Sequence, residues 1–93
     1  MLLKLPAVLT HPQAEDWSRS LKLALRAATA DPAPVIVEAG ALTQFDSSAL
    51  AVLLDCRREA LALKKTFWVQ NLPPRLRQLA GLYGIATLIP AST

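Results

Sequence analysis

Apolar positions along the chain recur in two rhythms, short β-branched runs and longer stretches that return every three or four residues. Leu2 to Leu5 suits a short strand, and Pro6, with no amide to donate, confines it to an edge or an end. Thr10, Pro12 and Gln13 have the spacing of a capping box and predict a helix start. Trp17, Leu21, Leu25 and Ala28 then return at steps of four and three, while Glu15, Arg19, Lys22 and Arg26 take other directions. That pattern predicts an amphipathic helix ending near Asp31-Pro32. Val35-Ile36-Val37 is apolar without alternation, as in a central strand covered on both faces. After a loop from Gly40 to Phe45, Asp46 can accept from free amides two or three residues on, which starts a second helix running to about Leu63. Thr66 to Val69 predicts the next strand, and Pro73 or Pro74 opens a third helix that stops at Gly84. Thr87-Leu88-Ile89 is expected to close the sheet. The alternation of elements implies right-handed crossovers and an α/β fold, with a four- to five-stranded, mostly parallel sheet and about three helices packed on it.

Projected at about 100° per residue, the second helix places Ala49, Val52, Leu53, Cys56, Ala60 and Leu63 on one arc, the face expected on the sheet. Leu50, Leu54 and Leu61 form a second stripe that includes Arg57, so the apolar sector is wider than the roughly 100° a sheet requires. Either the first or third helix packs there, or a partner protein covers it. Ser47 projects beside Leu54, whereas Ser48 points about 100° away, toward Asp55 and Glu59.

Size and composition narrow the possibilities. A chain of 93 residues supports one core, so residues 1–93 are read as a single domain. With 53% hydrophobic and 18% charged residues, it is a folded chain. The net charge of +3 comes without a basic stripe or interleaved aromatics, so nucleic acid is not an expected partner. A single cysteine, Cys56, is too few for a disulfide or a cysteine-based zinc site, and the single histidine, His11, sits at the start of the first helix, poorly placed for a Ser-His-Asp system. No metal, cofactor or enzymatic activity is expected, and Cys56 reads as a small core residue. Trp17, Trp68 and Tyr83 read as core or half-buried packing. The N-terminal apolar stretch is interrupted by Pro6 and does not resemble a signal peptide. The longest uncharged run, Gln78 to Thr93, is broken by Gly81, Gly84 and Pro90 and is too short to span a bilayer, so the expected location is the cytoplasm, without direct membrane insertion.

The stretch FDSSALAVLLDCRREA, after a β-branched strand and a short loop, resembles the signature of the STAS domain family, in which Asp-Ser-Ser/Thr-Gly-Leu-Gly opens the second helix. The resemblance extends from about Leu2 to Ile89. Within the family, FDSSALAVLL together with LPPRLRQLAGLYGIATLIP looks most like the MlaB-type subunit of a bacterial phospholipid-trafficking ABC transporter that maintains outer-membrane lipid asymmetry. That likeness implies a non-catalytic subunit, peripheral to the inner membrane, which binds and stabilises the ATPase of a complex that includes a permease. It also implies a contact surface of Asp46, Ser47, Ser48, Leu50, Ala51 and Leu54, with Ser47 as the hydroxyl carrier that matters. Anti-sigma factor antagonists are similar at the same place. They would imply an anti-sigma factor kinase as partner and Ser48 as the phosphosite. Ala49 and Ala51 stand where antagonists usually have glycines, which favours the transporter reading. Only about ten residues precede the first helix, so the family's usual N-terminal hairpin is curtailed and a sheet edge is left exposed or covered by another subunit.

Overall fold

The computed structural model describes residues 1–28, 30 and 33–90. Five strands, β1 (Leu2–Lys4), β2 (Val8–Leu9), β3 (Val35–Glu38), β4 (Gln44–Phe45) and β5 (Phe67–Gln70), alternate with three helices, α1 (His11–Ala27), α2 (Ser47–Ala62) and α3 (Pro74–Leu82). A 3-10 turn over Ala86–Leu88 follows. β3 lies between β1 and β5 and is parallel to both, and β2 pairs parallel with β4 in a separate two-stranded ladder. The α/β, STAS-like architecture matches the expectation, although its strands divide between two ladders.

Local chemistry explains where the helices begin and end. Gln13 Oε1 accepts from both the Thr10 amide at 2.9 Å and the Thr10 hydroxyl at 2.7 Å, which fixes the start of α1. α1 ends at Ala27, short of the predicted boundary at Asp31-Pro32, which falls outside the described residues. α3 begins with Pro74 at its first position and ends in a Schellman motif. Gly84 takes φ +72°, its amide bonds to Gly81 O at 3.1 Å, and the Ile85 amide bonds to Ala80 O at 2.9 Å. α2 closes in the same way, except that Lys64 occupies the left-handed position at φ +60°.

Two expectations about the sheet are corrected. β3 is central but is fully covered on one face only: Val35 and Val37 are buried, while Ile36 and Glu38 are half-buried. α1 and α2 pack against each other on the same side, which leaves the other face open. There Leu2, Ile36 and Trp68 align in one register row across all three strands, with Leu2 and Trp68 exposed. The second correction concerns Thr87-Leu88-Ile89, which forms no strand. The Leu88 and Ile89 amides bond back to Ile85 O and Ala86 O, and Pro90 has no amide to donate, so among the described residues a single backbone bond, from Val69 N to Pro90 O at 2.8 Å, joins this segment to β5.

On α2 the predicted core face is the buried one, with Ala49, Val52, Leu53, Cys56 and Ala60 at most 1% exposed. Its neighbouring flank is fastened to α1 by polar contacts. The Ser18 hydroxyl donates to Asp55 Oδ2 at 2.7 Å, Lys22 Nζ lies 3.9 Å from the same oxygen, and Arg26 pairs with Glu59 at 2.8 Å. Trp17 is half-buried against the core as expected, whereas Tyr83 is exposed because α3 ends just before it and turns away at Gly84.

Candidate functional site

The start of α2 is organised by one carboxylate. Asp46 is its N-cap, with Oδ1 accepting from the Ser48 amide at 2.8 Å. Oδ2 accepts from the His11 amide at 3.2 Å, and His11 is the first residue of α1. The same side chain therefore satisfies orphan amides of two helices and brings their N-termini together. The Ser48 amide, the largest influence, holds the Asp46 carboxyl below the usual aspartate range; burial opposes it, and the Ser48 hydroxyl and His11 add to the lowering. Asp46 thus sets the site's geometry, with both oxygens occupied by backbone.

The remaining predicted site residues separate by exposure. Ser47 and Ala51, at the first and fifth positions of α2, are exposed, and Leu54, one turn beyond Ala51, is half-buried against the core. These three form a continuous outer flank. Leu50 was expected on that flank but is only 2% exposed, in the same buried cluster as Leu76 and Ala80 of α3. It supports the surface from beneath, because α3 packs on this side of α2. Ser48 is half-buried, unlike exposed Ser47, and the projection puts it on the flank of Asp55 and Glu59, whose side chains bond to α1. The surplus apolar stripe is therefore shared: α3 takes Leu50, while Leu61, 46% exposed, and part of Leu54 stay uncovered.

Residues that periodicity within α2 could not reveal complete the surface. Phe45, Arg75, Gln78, Leu79 and Leu82 line an open groove of about 470 Å³ beside the start of α2. The Arg75 guanidinium stands over the Phe45 ring, 5.8 Å from its centroid. The spacing Arg75, Gln78/Leu79, Leu82 is a helical stripe in the sequence, but its meeting with Phe45 depends on how α3 folds back.

Cys56 lies beneath this surface, on the core side of α2. Burial pushes its thiol up to about 12, with the neighbouring Asp55 and Glu59 adding to the effect, so it stays protonated and inert. Among the described residues, no group of His, Cys, Asp and Glu is placed to hold a metal ion, and no helix is long and apolar enough to cross a membrane.

No curated protein matches the chain. A family model described as "Mlab, STAS domain" matches residues 1–90, which include every element and the whole of the Asp46 site. With the parallel sheet, three helices and Asp-Ser-Ser helix start in place, the chain belongs to the STAS domain family.

Proposed function

We propose that this chain is a non-catalytic STAS subunit that binds and stabilises the ATPase of a phospholipid-trafficking ABC transporter at the cytoplasmic side of the inner membrane. STAS domains act in protein interaction and regulation, and the chemistry of this one suits docking. The observation that carries the reading is the uncovered outer flank of α2, where exposed Ser47 and Ala51 lead into half-buried Leu54 beside an apolar groove. Apolar surface of this kind, held in a fixed shape by a capped helix, gains by being covered. A partner bound there in its assembled form only is stabilised in that form by mass action.

The test is affinity purification from the native host with wild type, Ser47→Arg and Ala51→Arg. Both substitutions add bulk and charge at exposed helix positions, so the fold tolerates them. Leu54→Asp is a poorer probe, because Leu54 also packs on the core. The expected result is an ABC ATPase with its permease recovered by wild type and lost by both variants. Recovery of an anti-sigma factor kinase would replace this reading with the phosphoswitch, in which Ser48 is the modified residue. An ATPase recovered equally by all three proteins would remove the site.

A further inference from the structure

After Glu59 the sequence contains Lys64, Lys65, Arg75 and Arg77 and no Asp or Glu, so the charged residues of α3 itself are all basic. On this helix Leu82 is 80% exposed, the highest value among the exposed large apolar side chains, and Tyr83 beside it is 56% exposed. Leu82, Leu79 and Phe45 give the groove its apolar lining, and Arg75, which stands over the Phe45 ring, is an exposed cation beside it. An exposed guanidinium can donate two parallel hydrogen bonds, the geometry that a carboxylate accepts. An apolar recess with one cation and no acid among its lining residues has a definite complement.

We propose that this groove receives an apolar side chain flanked by a carboxylate, from the same protein that docks on the outer flank of α2, with the carboxylate pairing to Arg75. The proposal rests on the reading of that flank as a docking surface and extends it across α3. Arg and aromatic residues are the common anchors of protein interfaces, and Arg75 over Phe45 combines them in the groove that Leu82 also lines, with Phe45 two residues before the start of α2 at Ser47. Positive charge also speeds encounter with an acidic partner, in a manner that salt screens.

The experiment measures the dissociation constant of the purified chain for the ABC ATPase subunit, over a range of salt. It compares wild type with Ser47→Arg, Arg75→Glu, Arg75→Gln, Leu82→Ser and Lys64→Glu. Lys64 stands past the far end of the 16-residue α2, roughly 24 Å along the helix, so its reversal is a control for net charge. Circular dichroism and melting of each variant confirm folding, and the exposure of Arg75 and Leu82 makes a large loss of stability unexpected. The expected result is binding weakened about 30-fold or more by Arg75→Glu, the scale of an anchor residue, and about tenfold by Leu82→Ser, with Lys64→Glu within about twofold of wild type. Arg75→Gln also flattens the salt dependence. Loss of binding in Ser47→Arg alone, with Arg75→Glu and Leu82→Ser at wild-type affinity, overturns the groove proposal and leaves the α2 docking surface standing. An ATPase that does not bind, or that binds all variants equally, overturns both. If Arg75→Glu instead abolishes binding to phosphatidylglycerol-containing vesicles while the ATPase complex is unchanged, the groove is a lipid-facing surface and the proposal fails.

Discussion

Removing the Ser18 hydroxyl tests how α1 is locked onto α2. Ser18 is 7% exposed, and its hydroxyl donates to Asp55 Oδ2 at 2.7 Å, the short distance of a charge-assisted bond. A hydrogen bond to a charged group contributes about 1.5–3 kcal/mol when well shielded. Asp55 retains 37% of its side-chain exposure and keeps Lys22 at 3.9 Å and Arg58 at 3.4 Å, so water and these cations replace part of what is lost. Ser18→Ala is therefore expected to cost about 1 kcal/mol after that discount. For a domain of this size that is a drop of about 4–8 °C in melting temperature. Asp55→Ala should cost more, about 2 kcal/mol, because it leaves the buried Ser18 hydroxyl without its acceptor. In the double variant nothing is left unpaired at Ser18, so the two costs are not additive, and a coupling of about 1 kcal/mol is expected. Urea unfolding followed by circular dichroism gives all three values. A Ser18→Ala cost below about 0.3 kcal/mol, with additive behaviour in the cycle, would refute the argument that this bond carries the interhelix contact.

The remaining predictions concern the same helix. Leu53→Ala should destabilise the fold by about 2–5 kcal/mol, since Leu53 is fully buried and its removal leaves a cavity; chemical denaturation measures it. Lys64→Gly should stabilise by about 0.5–1 kcal/mol, because Lys64 holds φ +60° at the position after the α2 cap, where a side chain is strained; an unchanged or lower melting temperature would contradict this. The folded-state carboxyl of Asp46 lies below its unfolded value, so the stability it contributes is present above the ordinary aspartate range and is lost as pH falls through the depressed folded value. Acid unfolding should accordingly be less steep in Asp46→Asn than in wild type below about pH 4, as measured by circular dichroism across pH. Cys56 should resist thiol reagents at pH 8 in the native state and react promptly in urea, since burial holds its thiol protonated up to about 12.

The parts of the fold that depend on near neighbours were legible in the residues themselves. Thr10 with Gln13, Asp46 with Ser48, and the arc from Ala49 to Ala60 each involve positions within a few turns, where helical geometry alone sets the contacts. The same geometry separated Ser47 from Ser48. The likeness to STAS domains was also readable, because the Asp-Ser-Ser helix start and the order of elements are linear features.

What tertiary structure alone decided were contacts between segments distant in sequence. Periodicity marks Leu50 as apolar on a wide stripe, but only the return of α3 makes it core while Leu54 and Leu61 remain partly uncovered. Val35 to Val37 is apolar throughout, yet both neighbouring helices fall on one side and leave Ile36 in an open row with Leu2 and Trp68. Thr87 to Ile89 has strand-like residues, but local carbonyls at Ile85 and Ala86 and the missing amide of Pro90 turned it into a 3-10 turn. The second oxygen of Asp46 found the His11 amide across 35 positions, and Arg75 found Phe45 across 30. Each of these depends on where a chain crossing lands, a balance of packing that no local spacing encodes.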